Sequence, residues 1–209
     1  MSTFRFAIMG AGNIAHQFCD AVTLVEDCEV SAIASKDLGR AQKFAEECSV
    51  AHAYDNYEQM LIEEKPDCVY IAVTPNDHFR LTMLCLEHRV PVLCEKAMFT
   101  NSAEAKAVFE KAEKDQTFVM EAMWSRFLPA VNQAKKWATE GKIGRLEALQ
   151  GRIGFLAPEG ADNRYHSPLL CGGAATDITV YAYEIATWLV NEPVRKTYAA
   201  ANLDQTGVD

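Results

Sequence analysis

The sequence predicts an α/β chain: a doubly wound parallel sheet of the Rossmann type, followed by a smaller and incomplete α+β unit. Three observations predict it. A Gly-x-Gly-x-x-Ala turn, from Gly10 to Ala15, stands between an apolar run and a helical pattern. Short apolar runs then alternate with helix-period stretches as far as residue 123, the rhythm of strands joined by crossover helices. One such run, residues 90–94, ends abruptly in Glu95-Lys96. That places charge at the carboxyl edge, where open parallel sheets bind their ligands.

Taken in order, residues 4–10 read as a strand and 16–25 as a helix. Residues 29–34 are the second strand, and 38–48 a helix that Ser35 or Asp37 can cap. A short strand at 51–54, a helix at 56–64 and a Pro66-Asp67 turn follow. Residues 68–73 form a fully apolar strand ending in the polar stretch Thr74-Pro75-Asn76-Asp77-His78, with a helix over 78–88. After the strand at 90–94 come a helix over 102–115, capped through Ser102 and Glu104, and a closing strand at 117–122. These elements make residues 1–123 a dinucleotide-binding domain and 124–209 a partial substrate domain.

Composition narrows the function classes. Hydrophobic residues are 49% and charged residues 23% of 209, an ordinary globular balance. A net charge of −9 spread along the chain argues against nucleic acid as a partner, because phosphates demand a basic face. Seven cysteines lie at no zinc-like spacing, and several (Cys68, Cys85, Cys94) sit in apolar runs. Buried free thiols in a reducing, cytoplasmic compartment are expected, with no metal site. The amino terminus shows no leader pattern, and no apolar run approaches membrane-spanning length.

The glycine turn carries the first chemistry. Gly10 permits a tight turn, Gly12 lets backbone approach a pyrophosphate, and small Ala15 permits close helix–strand packing. Asn13 and Ile14 complete the turn at a helix N-terminus that faces the anion. An NAD site usually has an acid at the end of the second strand, bonded to the ribose. Here Ser35 and Lys36 stand there, a hydroxyl and a cation that suit a 2′-phosphate, with Arg40 four positions on. NADP is favoured and NAD remains open, since Asp37 can still reach a ribose.

Several separated motifs then align with one family. Gly10–Ala15, Thr74-Pro75-Asn76 with His78, Cys94-Glu95-Lys96, the stretch from Glu121 through Trp124 and Arg126 to Pro129, Gly141-Lys142-Ile143-Gly144, and Gly172 through Asp177 to Tyr181 occur in order. The chain resembles the glucose–fructose oxidoreductase/inositol dehydrogenase family of NAD(P)-dependent oxidoreductases, most nearly its dimeric dihydrodiol dehydrogenase branch. The resemblance implies that Lys96 lies by the nicotinamide and the substrate hydroxyl, with Asp177 and Tyr181 as further active-site residues. It also implies cofactor contacts from Thr74, Pro75, Asn76, His78, Glu95 and Arg126, and places Trp124 in the substrate pocket. The residues agree with those roles. Removing hydride from a carbinol carbon needs a base for the hydroxyl proton, and Asp177 and Tyr181, spaced i, i+4, share one helix face. Glu95 can position Lys96 or the cofactor ribose.

The chain also departs from the family pattern. Ala97 replaces the usual proline after the lysine, the Thr74–His78 segment is one residue short, Thr179 stands where glycine is common, and Cys171 replaces a small residue. In the second half, residues 127–139 read as a helix, 145–155 as a long alternating strand, and 157–170 as a loop. Arg164 in that loop can bind substrate oxygens or simply be solvated. An apolar helix over 173–190, stopped by Asn191 and Pro193, precedes a strand at 194–203. Two strands cannot cover such a helix, so this domain is expected to be truncated or completed by a partner chain, and a homo-oligomer is expected. The implied function is hydride transfer between a nicotinamide cofactor and a secondary alcohol of a sugar, cyclic polyol or dihydrodiol. The alternatives are a non-catalytic nicotinamide-binding regulator and a cofactor-assisted glycosidase.

Overall fold

A computed structural model describes residues 3–158, 160 and 163–209. The chain divides into two compact units, Met1–Ala122 and Met123–Asp209.

The first unit is one six-stranded sheet in the order β3-β2-β1-β4-β5-β6, with every neighbouring pair parallel. Its strands are β1 (Phe4–Met9), β2 (Cys28–Ala34), β3 (His52–Tyr54), β4 (Cys68–Ile71), β5 (Val92–Cys94) and β6 (Val119–Glu121). The crossovers are α1 (Asn13–Val22), α2 (Leu38–Cys48), α3 (Tyr57–Glu64), α4 (Pro75–Glu87) and α5 (Ser102–Asp115). Both faces of the sheet are covered, which is why its strands are continuously apolar rather than alternating. Met9, Ala34, Ile71 and Cys94 pack on one face with Met60, Leu81 and Cys85. Ile8, Ile33 and Tyr70 pack on the other with Ala15, Cys19 and Phe44. The strand order reverses direction between β1 and β4, and there the carboxyl ends open a crevice.

Element boundaries moved where caps decide them. Helix α1 starts at Asn13, not residue 16, because Gly12 is its N-cap; it stops at Val22, leaving Leu24 and Val25 exposed. Helix α4 starts at Pro75, not at His78, with Thr74 as N-cap. Proline is at ease there, since the first helical N–H has no partner to lose. Asn101, rather than Ser102, caps α5: its side chain accepts from Glu104 N, while the Glu104 carboxylate accepts from Thr100 N and its hydroxyl. Asp37 caps α2, accepting from Arg40 N at 2.8 Å.

In the second unit, a 3-10 turn over Trp124–Phe127 leads into α6 (Pro129–Thr139). The expected 18-residue helix is made of two parts, a π-helical segment Ala175–Thr179 running into α7 (Val180–Val190). Asn191, in the left-handed conformation, ends it. The expected loop holds short 3-10 turns at Arg164–His166 and Pro168–Leu170; Glu159, Ala161 and Asp162 lie outside the described residues.

The strands expected at 145–155 and 194–203 do not form: neither segment is assigned to a strand or joins a sheet. Alternation of apolar residues states which side a strand would bury, but a strand exists only where a neighbour completes its ladder. Phe155 and Tyr198, 51% and 88% exposed, show how little these segments bury.

Candidate functional site

In the first unit the candidate residues gather on the carboxyl rim of the sheet. The turn after β1 is built around Gly10, whose φ is +111° and where a Cβ would lie 2.6 Å from the Ala72 carbonyl oxygen. Close approach of the chain beyond β4 therefore requires glycine at this position. Gly12 differs. Its backbone is extended, and the nearest atom to an added Cβ would be Ala72 O at 3.9 Å. Among the described residues no contact excludes a side chain there, so the space in front of this backbone is open to a ligand. The first turn of α1 has no side-chain cap and no acid, so its leading N–H groups, ahead of Ala15 N, which donates to Gly12 O at 3.0 Å, and the positive end of the helix dipole face an anion. Asn13 and Ile14 are exposed at this end, and Ala15 is buried beneath it. These features fit the pyrophosphate of a dinucleotide.

At the end of β2, Ser35 is buried, its N–H donating to Tyr54 O and its hydroxyl lying 3.5 Å from Asp37 N. Lys36 is exposed and pairs with Asp77 Oδ2 at 2.5 Å. Arg40 donates to the Ala11 carbonyl at 3.3 Å, so its guanidinium lies against the glycine turn. The Asp37 carboxylate is occupied in capping α2. Two cations therefore mark this end of the rim, one paired with Asp77, while the exposed Asp37 spends Oδ1 on its cap.

Pro75 is buried in the first turn of α4, Thr74 is partly covered and Asn76 is exposed. His78 is not at the surface. It is fully buried, with Nε2 3.0 Å from Val73 O and Nδ1 3.0 Å from Ala97 O and 3.2 Å from Met98 O. The ring ties the start of α4 to the segment carrying Lys96. That segment leaves β5 through Glu95, and the Lys96–Ala97 peptide is cis. Glu95 is buried, accepting from the Tyr70 hydroxyl at 2.6 Å and from Lys96 N at 3.2 Å. Glu121, at the end of β6, accepts from Met98 N at 2.9 Å. Two carboxylates thus hold the backbone on either side of Lys96.

Burial pushes the Glu95 carboxyl above the usual carboxylate range, against the opposing pull of Tyr70, the Lys96 amide and the Lys96 charge. A carboxyl whose folded pKa is raised stabilises the fold below its unfolded pKa of about 4.3, and that contribution is lost as pH rises through the folded value. Relative to Glu95→Gln, the unsubstituted chain should therefore lose thermal stability as pH rises above about 4.3. Melting curves of both proteins across that range test this, and a difference that grew in the opposite direction would reverse the sign.

In the second unit a different cluster forms. The Trp124 indole N–H donates to the Tyr181 hydroxyl at 2.8 Å, and the rings meet edge to face at 5.8 Å. Trp124 is 56% exposed while Tyr181 is buried, so the tryptophan can present its outer surface to a ligand while orienting the phenol. Arg164 is not simply solvated: it pairs with Asp177 Oδ1 at 3.1 Å and lies over the Tyr165 ring. Arg126 is in ion-pair contact with Glu184 and lies 5.5 Å from the centre of the Trp188 ring. Sequence reasoning missed Glu184, Asp77 and Glu121. Glu184 was detectable as the single acid in the otherwise apolar α7, one turn after Tyr181. Asp77 pairs with a residue 41 positions away, a relation no local pattern reveals.

Sheet order, glycine turn and open helix terminus define the class: a dinucleotide-binding Rossmann protein. Comparison with known sequences gives the family. Residues 4–123 match the profile described as the oxidoreductase family, NAD-binding Rossmann fold, and residues 131–209 match the GFO/IDH/MocA C-terminal domain. The chain belongs to this family. It is 32% identical over 211 residues to the trans-1,2-dihydrobenzene-1,2-diol dehydrogenase of Mus musculus, covering 98% of this chain and 62% of that protein. The Danio rerio protein of that name is 30% identical, with the same coverage. The chain thus spans under two thirds of the length of these curated relatives. Among solved structures, a probable dehydrogenase from Thermotoga maritima superposes with a TM-score of 0.78 at 22% identity, over 91% of this chain and 56% of that one. The scyllo-inositol dehydrogenase of Lactobacillus casei, solved with NAD(H) and scyllo-inositol, gives a TM-score of 0.74 at 14% identity over 91% and 57%. At these identities the two structures establish the fold alone. Among the described residues no helix is long and apolar enough to cross a membrane.

Proposed function

We propose that this chain is an NADP-preferring dehydrogenase acting on a secondary alcohol of a sugar, cyclic polyol or dihydrodiol. One observation carries the reading. The Gly10–Gly12 turn and Glu95-Lys96 leave the same rim of one parallel sheet, separated only by the adjacent strand β4. A pyrophosphate at the α1 terminus and a lysine two strands away are the parts that oxidation of an alcohol by a bound dinucleotide requires. The bound cofactor supplies the hydride acceptor or donor.

The remaining chemistry falls to the side chains. Lys96 moves the proton at the substrate hydroxyl, and Glu95 and Glu121 fix the backbone that carries it. Tyr181, oriented by Trp124, offers a phenol to a substrate oxygen. Asp177 holds Arg164, whose other guanidinium N–H groups can bind substrate hydroxyls. Lys36 and Arg40 favour the 2′-phosphate of NADP, because Asp37, the acid that would bind a bare ribose, is committed to capping α2. Dihydrodiols and inositols enter as substrate classes through the relatives named above. Seven thiols, free of disulfides, favour a reducing, cytoplasmic setting.

The test is direct. Mixed with oxidised NADP and a panel of dihydrodiols, inositols and aldoses, the protein should generate reduced cofactor, and more slowly with NAD. Cofactor binding without turnover on any of them would leave a regulatory role instead, and release of sugar from a glycoside without net reduction would indicate the glycosidase reading.

A further inference from the structure

The pairing of Lys36 with Asp77 changes how the cation end of the rim works. Asp77 is the third residue of α4, where an anion is favoured by the helix dipole. Its N–H donates to Thr74 O at 3.0 Å, and its side chain is only 17% exposed. Burial alone would raise its pKa, but Lys36 and Arg80, the latter 3.3 Å from Oδ1, draw it below the usual carboxylate range. Asp77 is therefore a fixed anion at neutral pH. Lys36 is the mobile partner, 67% exposed on a flexible four-carbon stem that carries a single point charge.

We propose that Asp77 is a specificity-determining residue that limits 2′-phosphate recognition by competing for Lys36. The inference rests on the NADP reading above. A 2′-phosphate must draw the ammonium away from a carboxylate that cannot follow it, and must come near that like charge. The 2′-hydroxyl of NAD meets neither cost. Arg40, which lies against Ala11 O rather than Asp77, is not subject to the same competition. The pair thus lowers the NADP-to-NAD preference below what two cations would otherwise set, and it does so through an acid borrowed from the next crossover but one instead of from the end of β2.

The experiment measures binding rather than turnover. NADP and NAD are titrated separately into the full chain and into Asp77→Asn and Asp77→Ser, with heat or tryptophan fluorescence as the signal. Both variants keep a hydrogen-bonding side chain at the helix start, and melting curves establish that each is folded. The dissociation constant for NADP should fall about five- to tenfold in both variants, while that for NAD stays within about twofold. In a Lys36→Ala background the gain from Asp77→Asn should shrink. NADP binding that is unchanged or weaker in the variants, or an equal shift for both cofactors, overturns the inference. If the unsubstituted chain binds neither cofactor, the proposed function falls with it; NADP binding indifferent to Asp77 overturns this inference alone.

Discussion

Lys96→Ala should lower turnover about 100- to 10,000-fold, the range associated with losing a positioned proton-transfer group, while cofactor affinity changes by less than about threefold. The separation follows from where the lysine stands. It emerges from β5 with its amide bound to Glu95 Oε2, two strands from the glycine turn proposed to receive the pyrophosphate. Truncating the side chain removes an ammonium without disturbing Met98 N, which Glu121 holds independently. Turnover and cofactor titration measured on the same preparation decide it. Turnover that survives the substitution removes Lys96 from the chemistry and shifts attention to Tyr181.

Substitutions at the two glycines of the first turn should fail in opposite ways. In Gly10→Ala the new methyl meets Ala72 O at 2.6 Å and Val73 Cγ1 at 2.9 Å, at a φ of +111°. Left-handed strain and overpacking each cost about 1–3 kcal/mol, so this variant should be destabilised by about 2–6 kcal/mol and express poorly. In Gly12→Ala the methyl meets only Ala72 O, at 3.9 Å. Stability should stay within about 1–2 kcal/mol, the cost of losing a glycine N-cap included, whereas dinucleotide affinity should drop about 10- to 100-fold. Chemical denaturation and cofactor titration separate the two. A Gly12→Ala protein that bound cofactor normally would deprive the turn of its assigned ligand.

The Rossmann half was legible because its signals are redundant. Apolar runs, helix-period stretches and turn residues each specify the same alternation, and all six strands and five helices follow from it. Even the shift in α4 was written locally: Pro75 fits a first helical position better than an extended one. The second half lacked that redundancy. Residues 145–155 alternate convincingly, but alternation does not identify a pairing partner, and the ladder did not form. The residues proposed for the site divide along the same line. Lys96, Asp177 and Tyr181 could be named from the motifs around them, and Gly10 and Gly12 from their setting between strand and helix. Asp77, Glu121 and Glu184 act through partners that only folding brings near, and of the three only Glu184, the lone acid of α7, stands out from solvated acids in its own stretch of sequence.

His78 bears on how this scaffold can be re-engineered. One buried imidazole laces the loop after β4 to the loop after β5 through Val73 O, Ala97 O and Met98 O. The two loops are therefore a single transplantable cassette. A graft that imports a longer Thr74–His78 segment from a homologue, without the matching residues after Lys96, would break the lacing and misplace the lysine although no residue at the lysine had been altered.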